Sequence, residues 1–144
     1  MGAVRVNIRL QSIDKYIVAK HGRPRSLTPN EDDLLEAFAQ LITQAIRDQW
    51  PVDTGTSRDR WTVTATGRGG DVGLVVENPM FYAEYVHDGL YERLIPQIWN
   101  AVKRNLIAGL KLRIDETEKR LEQKETPLFG FGDVLDLYRQ VRPR

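Results

Sequence analysis

The 144-residue sequence has no cysteine, which excludes a disulfide framework, a thiolate zinc site and a thiol nucleophile at once. It also has almost no net charge. Its 21 Lys+Arg stand against 20 Asp+Glu, a balance of +1, so no whole-chain field points at nucleic acid. No apolar run approaches the ~20 residues of a membrane span. The start, Met1-Gly2-Ala3-Val4-Arg5-Val6, lacks the apolar core of a secretory leader and the Ser or Thr of a myristoylation signal, so neither is expected there. No Walker loop, dinucleotide fingerprint or Gly-x-Ser-x-Gly elbow is present, and no cofactor is expected. There is no internal repeat and no low-complexity tract. What the chain does have is 41% hydrophobic and 28% charged residues, enough for a packed core in one domain of ordinary size.

Charge is unevenly spread. Residues 1–25 hold six basic side chains and one acid, residues 26–90 four basic and eleven acidic, and residues 91–144 eleven basic and eight acidic; the nets +5, −7 and +3 sum to +1. A basic start beside an acidic middle suggests head-to-tail contact between subunits, or contact with another charged protein. Solvated faces are the plainer reading of the same runs.

Apolar and polar residues alternate from Val4 to Leu10, the period of a strand with one wet face. In 11–21, Ile13, Tyr16 and Ile17 have helical spacing, compatible with one short helix, before the Gly/Pro linker 21–26. The spacing predicts a long helix over 29–49. Thr28 serves as N-cap, Pro29 suits the first position, Glu31 completes a capping box, and Leu34, Leu35, Phe38, Leu41, Ile42, Ala45 and Ile46 form one apolar stripe. Of these, Leu34, Phe38, Leu41 and Ile42 are expected to bury against a sheet. Pro51 stops the helix near Trp50. Trp61–Thr66 and Val72–Glu77, joined by Gly67-Arg68-Gly69-Gly70, predict a hairpin ending at Asn78-Pro79. Met80–Val86 reads as a short helix closed by Gly89. A second long helix is expected from 94–96 to 123, its charged part, Asp115–Lys124, facing solvent or a neighbour. Thr126-Pro127-Leu128-Phe129-Gly130 is expected to break it before a last short helix capped by Asp133.

Two constellations invite chemistry. Asp53-Thr54-Gly55 followed by a small residue is the loop of aspartic proteases, in which two such aspartates share a proton and activate water. A homodimer would supply the second aspartate, and Gly67–Gly70 would be the flap tip. That motif normally closes a buried strand, whereas a helix and Trp50-Pro51 precede it here, so a turn made by Asp53, Thr54 and Gly55 is the better reading. Glu84-x-x-His87 has the spacing of carboxylate-bridged metal sites, but these need two copies with further carboxylates, and the other histidine, His21, sits in the linker. A surface histidine near a helix end is expected and no metal. The aromatic residues Trp61, Phe81, Tyr82 and Tyr85 fall in the acidic stretch rather than among basic ones, which suits core or protein interface better than a nucleic-acid stacking platform.

Taken together, Pro51-Val52-Asp53-Thr54-Gly55, Arg60-Trp61 with its strand, Asn78-Pro79, Phe81-Tyr82-Ala83-Glu84-Tyr85-Val86 and Gly89 resemble the tail-component family of long-tailed bacteriophages, whose members act at the neck or as tail-completion and tail-terminator proteins. The resemblance spans roughly 29 to 105. After Tyr-Val the family usually has an acid and then Gly-Thr, where this sequence has His87-Asp88-Gly89-Leu90. The resemblance makes Pro51, Asp53, Thr54, Gly55, Trp61, Asn78, Tyr82, Ala83, Tyr85, Val86 and Gly89 a structural motif: Asp53 and Gly55 reverse the chain, Asn78 ends a strand, and Tyr82 and Val86 pack the short helix onto the sheet.

The expected fold is α+β, a small mostly antiparallel sheet against two long helices, with terminal arms. The expected organisation is one domain over 1–125 and an assembly arm over 126–144 carrying Phe129, Phe131, Leu135, Leu137 and Tyr138. The resemblance implies a non-enzymatic virion protein, a homo-oligomeric ring at the head–tail interface, assembled in the host cytoplasm. A hexamer fits a subunit capping the sixfold tail tube, and a twelvefold ring one seated against the portal. Its partners would be connector or head-closure and tail-tube proteins, with DNA passing the lumen unread and no membrane involved.

Overall fold

The computed structural model describes residues 2–51 and 56–129. Its elements run β1 (Val4–Arg9), α1 (Gln11–His21), α2 (Pro29–Gln49), α3 (Thr56–Asp59), β2 (Thr62–Thr66), β3 (Gly73–Asn78), a 3₁₀ segment (Ala83–Asp88) and α4 (Leu90–Phe129). The architecture is α+β. The three strands lie in the order β1-β3-β2, antiparallel throughout, so the hairpin's second strand is central.

Register fixes the two faces of the sheet. Val6, Val76 and Val63 stand side by side, as do Ile8, Leu74 and Ala65, and this face meets the core. Arg5, Glu77 and Thr62 form a row on the opposite, wet face, where Arg5 and Glu77 make a loose ion pair at 3.8 Å. Strand alternation read from Val4 to Leu10 therefore does what it should: a period of two puts every second side chain on one side.

The ambiguous stretch before the linker is helical. Ile13 and Ile17 are buried one turn apart, and Gly22 closes α1 in a left-handed conformation. Helix α2 has the expected start, with Thr28 as N-cap, both halves of the capping box formed and Pro29 at the first position. Its buried line is Leu35, Ala39, Ile42 and Ile46. Leu34 and Phe38 are half-buried, and Leu41 is 51% exposed, so the apolar stripe is wider than the contact it serves. The expectation that Leu41 is buried fails because its position on the helix falls outside the arc covered by sheet and α4.

Helix α2 lies between the sheet and α4, and α4 rests on α1, α2 and the 3₁₀ segment. Where α2 meets α4, Leu34 lies against Gly109: a β-carbon there would come 2.9 Å from Leu34 Cδ2, the far end of a side chain that can turn away. Helix α4 starts at Leu90, earlier than expected, with Pro96 inside it, and runs through Thr126 and Pro127 to Phe129. The break expected at Thr126-Pro127 is absent, because one proline removes a single backbone donor from a long helix whose remaining bonds persist. Phe129 is the last described residue; Phe131, Asp133, Leu135, Leu137 and Tyr138 lie outside the described residues.

Candidate functional site

Two of the motif residues, Trp61 and Asn78, meet Trp50 and Ser57 at one corner, where α2 ends and the sheet begins. Trp50 and Trp61 pack edge to face with ring centroids 5.0 Å apart, both in the core. The Trp50 indole N–H donates to Ser57 Oγ at 2.9 Å. The Asn78 side-chain amide donates to the Ser57 carbonyl at 2.7 Å, and its oxygen accepts from the Met80 N–H at 3.0 Å. Ser57 and Asn78 are both fully buried. Buried polar groups persist only when hydrogen-bonded, so this chain of bonds holds α2, α3 and the end of β3 as one unit. Arginines close it from outside: Arg47 Nη2 donates to the carbonyls of Asp59 (3.1 Å) and Trp61 (2.9 Å), and Arg58 Nε donates to the Arg47 carbonyl (3.0 Å). The Trp61 indole N–H has no acceptor among the described residues.

After Asn78 the chain leaves the sheet. The Glu84 N–H donates to the Gly2 carbonyl at 2.7 Å, tying the start of the chain to this turn. The expected helix over Met80–Val86 is instead a 3₁₀ segment over Ala83–Asp88. Asn78 takes the Met80 N–H, which delays the start of helical bonding, and the chain leaves helical geometry at Val86 (φ −60, ψ 123). His87, Asp88 and Gly89 then follow with φ of 46, 56 and 83, three left-handed residues in a row. Gly89 adopts this freely, whereas His87 and Asp88 hold it at a cost of order 1–3 kcal/mol each. Ala83 and Val86 are buried, Tyr82 is half-buried, and Phe81 and Tyr85 point outward at 75% and 63% exposure. Of the motif residues, Trp61, Asn78, Ala83 and Val86 are thus buried, Gly89 is left-handed, Tyr82 is half-buried and Tyr85 is a surface residue. Val52, Asp53, Thr54 and Gly55 lie outside the described residues.

His87 is exposed and Glu84 does not share a helical face with it. Among the described residues no three His, Asp or Glu side chains gather as a metal would need. The Gly67–Gly70 turn is pinned rather than free. Leu27 N–H donates to the Gly67 carbonyl, Gly69 N–H to Ser26 Oγ, and Gly70 and Val72 N–H groups to the Asp14 carboxylate.

A second polar cluster was not visible in the sequence. Arg25 Nη1 and Nη2 donate to both oxygens of the fully buried Glu31 at 2.7 and 2.9 Å. Arg25 Nε also donates to Glu118 Oε2 at 3.2 Å, and His21 Nδ1 lies 2.6 Å from Glu118 Oε1. Burial pushes the Glu31 carboxyl up, but the Arg25 fork and the Thr28 N–H bond, with help from Thr117 and the Arg25 charge, outweigh it and hold it below the usual carboxylate range. The Glu31 fork raises Arg25. Beside this cluster Tyr16 donates to Asp115 at 2.7 Å, and the hydrogen bond to that carboxylate raises the phenol. Much of the basic N-terminal segment is thus paired within the chain: Arg9 pairs with Asp71, Lys20 with Asp115, and Arg25 with Glu31 and Glu118. The same contacts dock α4 as far as Glu118 onto α1 and the linker, instead of leaving Asp115 onward in solvent. The sequence shows Glu31 only as a capping residue; its ion-pair role depends on the linker folding back over it.

Comparison with known families gives one finding. Residues 30–89, which is 60 of 144 residues, match the HK97-gp10-like family model, described as “Bacteriophage HK97-gp10, putative tail-component”. The resemblance read from the compound motif is therefore to a family of phage tail components, and the matched span runs from the first turn of α2 to Gly89. No curated protein and no solved structure matches the chain.

Proposed function

We propose that this chain is a structural virion protein of a long-tailed bacteriophage, a neck, tail-completion or tail-terminator subunit that forms a ring at the head–tail interface. The observation that carries this reading is the family match over residues 30–89. The geometry supports it: two of the motif residues, Trp61 and Asn78, build a packed corner with Trp50 and Ser57. Trp61, Asn78, Ala83 and Val86 are spent on packing, while Phe81 and Tyr85 present aromatic surface beside them, the composition favoured at protein interfaces.

In this reading the ring assembles in the host cytoplasm and binds connector or head-closure proteins on one side and tail-tube proteins on the other. DNA passes through the lumen without base contacts. A subunit capping the sixfold tube forms a hexamer, and one against the portal a dodecamer. The segment 126–144, carrying Phe129, Phe131, Leu135, Leu137 and Tyr138, acts as an arm on a neighbouring subunit or ring. Among the described residues no helix is long and apolar enough to cross a membrane. Electron-microscopic class averages of the purified protein, and of virions carrying it, test the proposal. Rings of six or twelve and density at the head–tail junction support it; a protein located elsewhere in the virion refutes the station.

A further inference from the structure

The structure moves the free positive charge of the subunit. The basic N-terminal segment is largely paired internally, whereas residues 93–114 of α4 contain five basic residues and no acid. Two of the five turn inward: Lys111 lies over the Tyr16 ring, and Arg113 donates to the Asn30 carbonyl. Arg93, Lys103 and Arg104 remain exposed, with no ion pair among the described residues. Arg93 and Arg104 are three helical turns apart, so they share one line along the helix, about 16 Å apart. Leu112, 65% exposed, stands about two turns beyond Arg104, roughly 80° round the helix from that line.

The outer face of α2 is its complement. Asp33, Glu36 and Asp48 are exposed and have no cationic partner among the described residues; Glu36 and Asp48 accept only from Gln40 and Gln44 on the same helix. Arg47, the sole base in this stretch, is turned inward to the carbonyls of Asp59 and Trp61. Leu41 lies between these acids at 51% exposure. Asp33 to Asp48 spans ~22 Å and Arg93 to Leu112 ~28 Å at 1.5 Å per residue, so the two faces are similar in length.

We infer that the acidic outer face of α2 in one copy docks on the basic outer face of α4 in the next. Each copy carries one face of each kind, so the contact is heterologous, the type that closes into a ring when its rotation permits. Charge sets the pairing and its register, and Leu41 and Leu112 supply apolar surface that is otherwise wet. The inference rests on the ring proposed above, and it places the charged head-to-tail contact on the two long helices instead of the N-terminal segment.

The test uses the full chain in analytical ultracentrifugation at low and high salt, with circular dichroism to confirm folding. One variant carries Asp33→Lys and Glu36→Lys, another Arg93→Glu and Arg104→Glu, and a third carries all four. Each reversal alone is expected to weaken self-association by ~10²-fold or more, as like charges then face each other. Assembly is expected to return when the two variants are mixed and in the fourfold variant, and to weaken with salt in the wild type. Wild-type rings indifferent to either reversal overturn the contact and leave the ring standing. Disruption by each reversal without rescue on mixing overturns the pairing of these two faces. A wild type that stays monomeric and is absent from a virion ring overturns both.

Discussion

The indole N–H of Trp50 donates to Ser57 Oγ at 2.9 Å, a bond from the end of α2 to the start of α3. Because Asn78 donates to the carbonyl of the same serine, one short residue couples the helix to the central strand. The corner is therefore tied together by buried hydrogen bonds, and through Asn78 to the Met80 N–H it connects to the turn that carries exposed Phe81 and Tyr85.

Ser57→Ala should lower stability by about 1–3 kcal/mol, because it leaves the buried Trp50 donor unsatisfied. Trp61→Phe removes a donor that has no partner among the described residues, so its cost comes from lost area, the cavity left and the altered contact with Trp50 rather than from a lost hydrogen bond. Urea titrations of both variants decide; a neutral Ser57→Ala would remove the latch from the account.

Glu31 should make stability fall with acid. Its folded pKa lies below the ordinary value, so its contribution is fully present above the unfolded pKa of roughly 4.3 and is lost as pH falls through the folded one. Denaturant midpoints measured from pH 7 down to pH 3 should decline in the wild type, with the part due to Glu31 missing in Glu31→Gln. An identical slope in both proteins would contradict the assignment.

Arg25→Met should be among the most damaging single changes, at about 3–5 kcal/mol, since it strands a buried carboxylate. The side chains of Arg25 and Glu31 are 13% and 0% exposed, so water does little to relieve it. Thermal unfolding of Arg25→Met beside Arg9→Met, whose partner Asp71 is exposed, separates a buried pair from a surface pair. Arg9→Met should fall within ~0.5 kcal/mol of wild type.

Ile42→Ala should cost about 2–5 kcal/mol, as it empties a fully buried site on α2. Leu41→Ala, one residue earlier, should stay within about 0.5 kcal/mol in the monomer and act on assembly instead. Phe38 is only half-buried, and its truncation should cost less than the ~3–5 kcal/mol of a fully buried Phe. Equilibrium unfolding of the three variants checks this order.

Asp53→Asn should leave folding and assembly intact, because Asn also serves as a cap and turn residue. A peptidase assay on the wild type and on Asp53→Asn tests the aspartic-protease alternative. A proteolytic activity that disappears in a folded, assembling Asp53→Asn protein would overturn the structural role.

Features that depend on neighbours along the chain are legible in the residues alone. Thr28, Pro29 and Glu31 set the start of α2 because a capping box needs only residues three apart. Alternation set β1, β-forming residues on either side of a Gly-rich turn set the hairpin, and Gly89 marked the end of the 3₁₀ segment because a left-handed residue is most easily a glycine. The compound motif was legible for the same reason, as its parts lie within one stretch. Tertiary structure decided everything that rests on a distant partner. Which side of α2 is covered, and so why Leu41 is exposed while Ile42 is buried, depends on where α4 and the sheet lie. Ser57 became a buried hub only when Trp50 and Asn78 met around it, and Glu31 became half of a buried ion pair only when Arg25 and Glu118 closed over it. The charge of residues 1–25 looked free along the chain and is largely consumed by acids brought to it from α2, the hairpin turn and α4. Charges interact through space with a reach of several ångströms and without regard to sequence separation, so the surface left to a partner can be read only after folding has spent the rest.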